Sequence, residues 1–222
     1  MHEKYTTRGI VVSSSAYKEA DKIISIYTED FGLVSAAAAG VRRSHSKLKY
    51  HVQDFSVRNF SFVRGRDIWR LVGAEEISGV ANFDHASWNG AVHENLVVYA
   101  RVLSLIRRLV RGEEKNEQVF LTLFSLHKLL AQMSESQEKN DSGLLTGDFR
   151  LTTPHNSFLD ISALETLAVF RILHSLGYIK SDKHTEPLIV PLEIDSALVA
   201  MAKPLVSSLI LSINKGLTES HL

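Results

Sequence analysis

The chain has 222 residues, 25 of them Lys or Arg and 25 Asp or Glu, so its formal net charge is zero. With 45% hydrophobic and 23% charged residues it has the composition of an ordinary globular protein, which excludes a disordered or fibrous chain. It contains no cysteine, which excludes disulfides, thiol catalysis and every zinc site built on cysteine ligands.

Membrane attachment and secretion are not expected. The first residues have no apolar signal-peptide core, and no uninterrupted apolar run approaches the roughly 18 residues that a membrane span needs. Charge is uneven along the chain: residues 1–75 hold twelve basic and eight acidic side chains, whereas residues 76–222 hold thirteen and seventeen. This asymmetry favours two modules with different partners, although a difference of this size also arises by chance. We expect a cytoplasmic protein.

The first 80 residues alternate between β-rich segments and turn residues, which predicts strands. The predicted strands cover residues 6–12, 22–28, 33–41, 54–63 and 68–72. Ser13–Ser15 predicts a turn after the first strand, and Glu29–Gly32 predicts a hairpin turn after the second. Five short strands with a basic loop between the third and the fourth are typical of a Greek-key barrel of the OB type.

The predicted fourth strand has an irregular apolar pattern. Phe60 and Phe62 are out of phase with Phe55 and Val57, so they do not all fall on one face of a regular strand. A β-bulge within the strand is the predicted cause.

The basic loop at residues 40–50 is the most informative segment. It places four permanent cations within eight residues, and no Asp or Glu occurs between Phe31 and Gln53. This density favours a loop that binds a polyanion over a merely solvated loop, because each Lys or Arg that neutralises a phosphate releases a condensed counterion. The predicted nucleic-acid-binding residues of this loop are Arg42, Arg43, Lys47 and Lys49.

Other side chains of the N-terminal region are candidates for extending this surface. The additional cations are Arg8, Arg58, Arg64, Arg66 and Arg70. Single-strand binding on OB folds usually adds aromatic stacking, for which the candidates are Tyr17, Tyr50 and Trp69. Burial is the stronger expectation for Trp69. Arg64 and Arg66 flank a glycine turn and are equally compatible with solvated positions.

After about residue 83 the apolar spacing becomes helical. Helices are predicted over residues 88–110, 116–133, 160–176 and 196–214, and a mobile loop over 134–147. Asp160 is the predicted cap of the third helix, Gly177 its terminator, and Pro204 a break in the fourth. A second basic group on the first helix is better interpreted as a solvated face than as a binding site; it comprises Arg101, Arg107, Arg108 and Arg111.

Catalytic motifs are absent from the sequence. It contains no GxxxxGK[ST], GxGxxG or HExxH motif, and Ser13–Ser15 lacks the setting of a nucleophile elbow. We therefore predict a protein that is not an enzyme and has no cofactor and no metal.

Several segments, taken in order, resemble the RecO family of bacterial DNA-repair proteins. The segments that carry the resemblance are Thr7–Val12, Tyr17–Ile24, Tyr27–Gly32, Gly40–Ser46, Gln53–Phe55 and Leu173–Tyr178. The resemblance covers the N-terminal region well and the helical region loosely. It implies an α+β protein with a five-stranded OB-fold nucleic-acid-binding domain over residues 1–80 and an all-α domain over residues 81–222.

The resemblance also implies a task. RecO-family proteins act as recombination mediators: they bind single- and double-stranded DNA, anneal complementary strands and, with RecR, help load the RecA recombinase onto DNA coated with single-strand-binding protein. They are cytoplasmic and associate with the nucleoid when on DNA. The family further implies that the helical domain binds the acidic tail of single-strand-binding protein, for which the second basic group is a candidate.

One departure from the family concerns metal. Many members carry a four-cysteine zinc module after the segment that ends in Leu-Gly-Tyr, and here residues 179–193 contain no cysteine. Zinc binding is therefore not expected. The alternative to a DNA-binding mediator is a protein-only adaptor that bridges repair proteins without contacting DNA.

Overall fold

The computed structural model describes residues 3–66, 68–83, 94–143 and 160–220, with the backbone alone for residues 135–143. Five strands come first along the chain: β1 (Lys4–Tyr17), β2 (Asp21–Thr28), β3 (Gly32–Ala38), β4 (Val57–Val63) and β5 (Trp69–Glu75). They close into a barrel in the order β1-β2-β3-β5-β4, in which only β3 and β5 pair in parallel. The predicted five-stranded OB-type barrel is confirmed.

Helices follow the barrel, so the fold class is α+β as predicted. They are α1 (Glu94–Leu109), α2 (Glu117–Gly143), α3 (Ile161–Ser175), α4 (Glu186–Ile189), α5 (Ser196–Ala202) and α6 (Val206–Glu219). Short 3-10 turns occur at Lys47–Tyr50 in the basic loop and at Lys203–Leu205 between α5 and α6.

The turn predicted at Ser13–Ser15 is wrong. These serines continue β1 and pair with Ile23–Ser25 of β2, and the pairing runs on to Tyr17 opposite Asp21. The chain reverses at Lys18, whose backbone φ of 53° is the left-handed conformation that tight turns use. Serine tolerates a strand when its neighbours complete the hydrogen-bond ladder, which the local sequence does not reveal.

The bulge predicted inside β4 is also wrong. β4 pairs with β1 from Val57 to Val63 without a shift of register. The apolar phase changes because the strand is buried on both faces: Phe60 and Phe62 pack inside the barrel, whereas Val57 packs outside it against the helices. Phe55 precedes the strand and has a φ of 71°. The shift that does occur lies in the pairing of β4 with β5, beside Phe62.

The helical predictions are largely confirmed. Asp160 caps α3 by accepting a 3.0 Å hydrogen bond from the backbone N–H of Ala163, and Gly177 follows the helix with a φ of 81°. Pro204 lies in the 3-10 turn that separates α5 from α6. The loop predicted at 134–147 is wrong as far as residue 143, because α2 continues that far. Residues 88–93 and 144–147 lie outside the described residues.

Two hydrophobic clusters organise the structure. One fills the barrel with residues such as Ile24, Phe60 and Phe62. The other lies between the helices and one outer face of the barrel, where Ile10 and Val57 join the helical core. The barrel and the helices therefore share a continuous core on the β1–β4 side, and that face is not available to a ligand.

The two ends of the barrel differ. We call the end formed by the β1–β2 turn and the loop after β3 the mouth, and the end formed by the β2–β3 and β4–β5 hairpins the base. The connection between α1 and α2 covers the base. The indole N–H of Trp69 donates to Glu113 at 2.7 Å, and Lys115 lies 3.5 Å from Asp30. The base is thus occupied by the protein itself.

Among the described residues, one helical segment, Ser196–Glu219, is long and apolar enough to span a membrane by those criteria alone, and 28% of its most apolar window is buried. The 3-10 turn at Lys203–Leu205 interrupts it. Core helices of soluble proteins meet the same criteria, so this segment does not by itself indicate a membrane.

Candidate nucleic-acid interface

The basic loop is fastened to the mouth of the barrel at both ends. It leaves β3 at Gly40, whose φ of 66° suits glycine and whose N–H donates to the Asp21 carboxylate at 2.7 Å. Val41 and Val52 are each 1% exposed and pack in the barrel core, and the partly buried Leu48 packs against that core. Because these apolar anchors point inward, the cations between them are held towards solvent.

Arg42 ties the loop to the β1–β2 turn. Its backbone N–H donates to the carbonyl of Ala20 at 2.9 Å, and its guanidinium donates to the carbonyl of Glu19 at 3.2 Å. These bonds bring Lys18 of the turn beside the loop. Lys18 is exposed, and its ammonium lies 5.1 Å from the centre of the Tyr17 ring. Two segments that are distant in sequence therefore form one surface.

Lys22 is a member of this surface that the sequence prediction missed. It stands at the start of β2 opposite Ala38, the last residue of β3, and its ammonium donates to the Ser14 hydroxyl at 3.2 Å. Together with Arg42 and Lys49 it lines a cleft of about 270 Å³ at the mouth. Only the strand register places Lys22 there, so spacing along the sequence carries no signal for it.

We call the cations of this surface the mouth cluster: Lys18, Lys22, Arg42, Arg43, Lys47 and Lys49. Within the described part of the chain, none of the six takes part in an ion pair of 4.0 Å or less. The nearby acidic residues on the turn are Glu19 and Asp21, and Asp21 accepts the Gly40 N–H. The cluster thus sets six cations against two neighbouring carboxylates, which is a local excess of positive charge.

The aromatic candidates separate into two groups. Tyr50, at the end of the 3-10 turn, is 64% exposed, and Tyr17 is 44% exposed. Both lie on the segments that carry the mouth cluster. Trp69 is 4% exposed and makes edge contacts with Tyr5 and an inclined contact with Phe31 inside the base. Its burial is confirmed, and it is not a stacking surface.

Arg8 and Arg58 lie away from the mouth, in contacts between the barrel and the rest of the protein. Arg8 forms two 2.6 Å hydrogen bonds with the Glu29 carboxylate, which raise the pKa of its guanidinium. Arg58 is buried, donates to the carbonyl of Val57 and lies 3.7 Å from Glu76; burial lowers the pKa of its guanidinium. Neither extends the surface that the sequence assigned to it.

The remaining predicted cations lie on the β4–β5 side. Arg64 and Arg66 are exposed on the hairpin at the base, and Arg64 lies 3.8 Å from Glu113 and over the Trp69 ring. The structure therefore separates this pair from the mouth cluster. Arg70 is exposed on β5 and pairs with Ala37 of β3. The next residue of β3, Ala38, pairs with Lys22. Arg70 is thus the cation of this side that the register brings towards the mouth.

The second basic group on α1 is divided as well. Arg101 forms hydrogen bonds of 2.7 and 2.6 Å with the Glu165 carboxylate of α3. Arg107, Arg108 and Arg111 are exposed at or beyond the last turn of α1, where cations are favoured by the helix dipole. Among the described residues, no group of three or more His, Asp or Glu is arranged to hold a metal ion.

Comparison with known proteins finds a family match in the barrel region. Residues 1–80 match the family described as Recombination protein O N terminal. A protein named DNA repair protein RecO from Rubrobacter xylanophilus is 33% identical over 132 residues, 52% of this chain and 51% of the relative. A protein of the same name from Mycoplasma capricolum is 31% identical over 118 residues, which cover 53% of this chain and 46% of the relative. One from Mycoplasma mycoides is 30% identical over 139 residues, which cover 63% of this chain and 52% of the relative. The chain thus spans about half the length of the curated relatives it matches.

Proposed function

We propose that this chain, whose residues 1–80 match the family described as Recombination protein O N terminal, is a non-catalytic DNA-binding protein of repair and recombination. The observation that carries the proposal is the mouth cluster, in which six cations share one end of a barrel without an ion-pair partner among the described residues. Grouping like charges is unfavourable unless a polyanion neutralises them. The names of the relatives support a role in DNA repair.

The chemistry of the mouth suits a phosphate backbone. Arg43 presents a planar fork of donors for phosphate oxygens, while Lys47 and Lys49 act as point charges. Tyr50, directly after Lys49, offers an exposed ring on which a base of a single strand stacks. Phosphate contacts position a strand without reading its bases, so sequence preference is low.

Strand annealing follows from the same surface. Two complementary strands repel each other through their phosphates, and neutralising the phosphates on the protein removes that repulsion. Base pairing then supplies the free energy, and no catalytic group is needed. In this proposal RecR and single-strand-binding protein are the partners with which the bound chain helps load RecA onto DNA.

The proposal is tested by measuring the affinity for a fluorescently labelled single-stranded oligonucleotide at several salt concentrations. Each phosphate contact contributes about 0.7 to the slope of log affinity against log salt for single strands. The triple variant Arg43→Glu, Lys47→Glu, Lys49→Glu is expected to lower the slope by about 2 and to abolish annealing of complementary oligonucleotides. Arg42 is left intact because its hydrogen bonds hold the loop.

The matched control is Arg107→Glu, Arg108→Glu, Arg111→Glu, which reverses the same number of exposed cations on α1. Equal loss of affinity in both triple variants would show that overall charge, and not the mouth, governs binding. Wild-type protein that binds no oligonucleotide at low salt would refute the proposal and leave the protein-only adaptor as the better account.

A further inference from the structure

The cleft at the mouth has a composition that differs from the rest of the basic surface. Three cations line it, Lys22, Arg42 and Lys49, over a floor formed by Val41 and Val52. No carboxylate lines it among the described residues. Arg43 and Lys47 are exposed outside it. The mouth cluster therefore contains a concave part and an open part, and these parts suit different phosphates.

Two of the three cations of the cleft are oriented by hydrogen bonds before any ligand arrives. The Arg42 guanidinium is oriented by the carbonyl of Glu19, and the half-buried Lys22 is oriented by the Ser14 hydroxyl. Lys49 is carried by the 3-10 turn, whose Leu48 packs into the barrel core. Fixed donors lose little conformational entropy when they bind, which favours a defined ligand over a diffuse ion atmosphere.

The number of cations indicates the kind of phosphate. An internal phosphodiester carries a single negative charge, whereas a terminal phosphomonoester carries about −1.5 to −2 at neutral pH and has three strong acceptor oxygens. Three convergent cations match the charge and the acceptors of the monoester better. A cleft of about 270 Å³ is also large enough for a phosphate group with part of its sugar.

We propose that the cleft lined by Lys22, Arg42 and Lys49 is a binding site for the terminal phosphomonoester of a DNA strand, while the open part of the mouth cluster contacts internal phosphates. This inference rests on the proposed function in one respect: it takes DNA as the source of the phosphate. It assigns Lys22 a role that Arg43 and Lys47, which lie outside the cleft, do not share.

The test compares short oligonucleotides of one sequence that carry a 5′-phosphate, a 3′-phosphate or hydroxyls at both ends. One of the phosphorylated forms is expected to bind about tenfold more tightly than the hydroxyl form, because a charge-assisted contact to a dianion is gained. The advantage is expected to vanish in Lys22→Met and in Lys49→Met. It is expected to persist in Arg107→Met, a control of the same chemistry outside the mouth.

A second measurement isolates the cleft from the rest of the surface. Thymidine 5′-monophosphate and thymidine 3′-monophosphate are each titrated against the chain, with thymidine as the control, and the amide resonances of the basic loop are followed by NMR. The site is supported if a nucleotide, but not the nucleoside, perturbs these resonances and if the perturbation is lost in Lys22→Met. If the nucleotides perturb none of these resonances, the proposed site is wrong, whether or not oligonucleotides bind.

The outcomes separate the two proposals. If oligonucleotides bind with strong salt dependence but neither terminal phosphate increases the affinity, the cleft proposal is wrong and the DNA-binding function stands. An advantage that persists in Lys22→Met places the terminal phosphate elsewhere and also overturns it. If no oligonucleotide binds, the proposed function fails, and the mononucleotide titration alone decides on the cleft.

Discussion

Gly32 offers a direct measure of how firmly the barrel is docked on the helices. It begins β3 at the base with a φ of 68°, and a Cβ added there would clash with the carbonyl oxygen of Glu114, in the connection between α1 and α2. A side chain on Gly32 meets rigid backbone, so the two parts must move apart. The left-handed conformation costs a non-glycine residue about 1 kcal/mol, and overpacking costs about 2 kcal/mol more.

Gly32→Ala is therefore expected to lower the free energy of unfolding by about 3 kcal/mol, which corresponds to a fall in Tm of about 6–12 °C for a chain of this size. The control is Gly79→Ala: Gly79 has a φ of 74° but no atom within 4 Å of the added Cβ, so about 1 kcal/mol and a fall of about 2–4 °C are expected. Both are measured by thermal and urea unfolding. Equal losses in the two variants would refute the tight contact between Gly32 and the α1–α2 connection.

Two further predictions concern buried and interfacial charge. Arg8→Ala is expected to lower the free energy of unfolding by about 2 kcal/mol, because it removes a bidentate bond to Glu29 and leaves that carboxylate unpaired. The control Arg101→Ala, at a more exposed bidentate pair, is expected to cost only about 0.5 kcal/mol in the same urea unfolding. Neither variant is expected to change the salt slope of DNA affinity, and a changed slope for Arg8→Ala would show that Arg8 contacts DNA. Burial lowers the pKa of His127 from 6.5 to about 4, so the unfolded chain takes up a proton before the folded one, and stability falls as the pH drops from about 6.5 to 4, by about 3 kcal/mol. Urea midpoints across this range are expected to fall less steeply in His127→Gln than in the wild type. Parallel curves for the two proteins would contradict the burial argument.

The sequence was sufficient for the barrel because its strands are rich in β-branched and aromatic residues. It failed where pairing overrides local preference, as at Ser13–Ser15, which continue β1 because β2 completes their hydrogen bonds. It also failed where a strand is buried on both faces. Val57 and Phe60 pack in different clusters on opposite faces of β4, so the apolar pattern changes phase as it would at a bulge. In both cases the information lies in which segments become neighbours.

The candidate site was predictable to a similar extent. The density of cations in residues 42–49 is a local property, and the structure places them on one exposed loop. Lys22 was missed and Arg58 was overvalued for one reason: sequence shows that a residue is basic but not which end or face of the barrel it occupies. The register of β2 with β3 brings Lys22 to the mouth, whereas β4 directs Arg58 into the protein, where it is 8% exposed.

The location of the helices explains why DNA is expected at the mouth and not elsewhere on the barrel. The β1–β4 face is buried in the shared core, and the base is covered by the α1–α2 connection. That connection brings Glu113, Glu114 and Lys115 to the base, where the ion pairs Arg8–Glu29, Arg64–Glu113 and Lys115–Asp30 leave little net charge to attract a phosphate backbone. The cations of the mouth, which have no ion-pair partner among the described residues, thus draw an approaching strand, whereas most charges of the base are paired with one another.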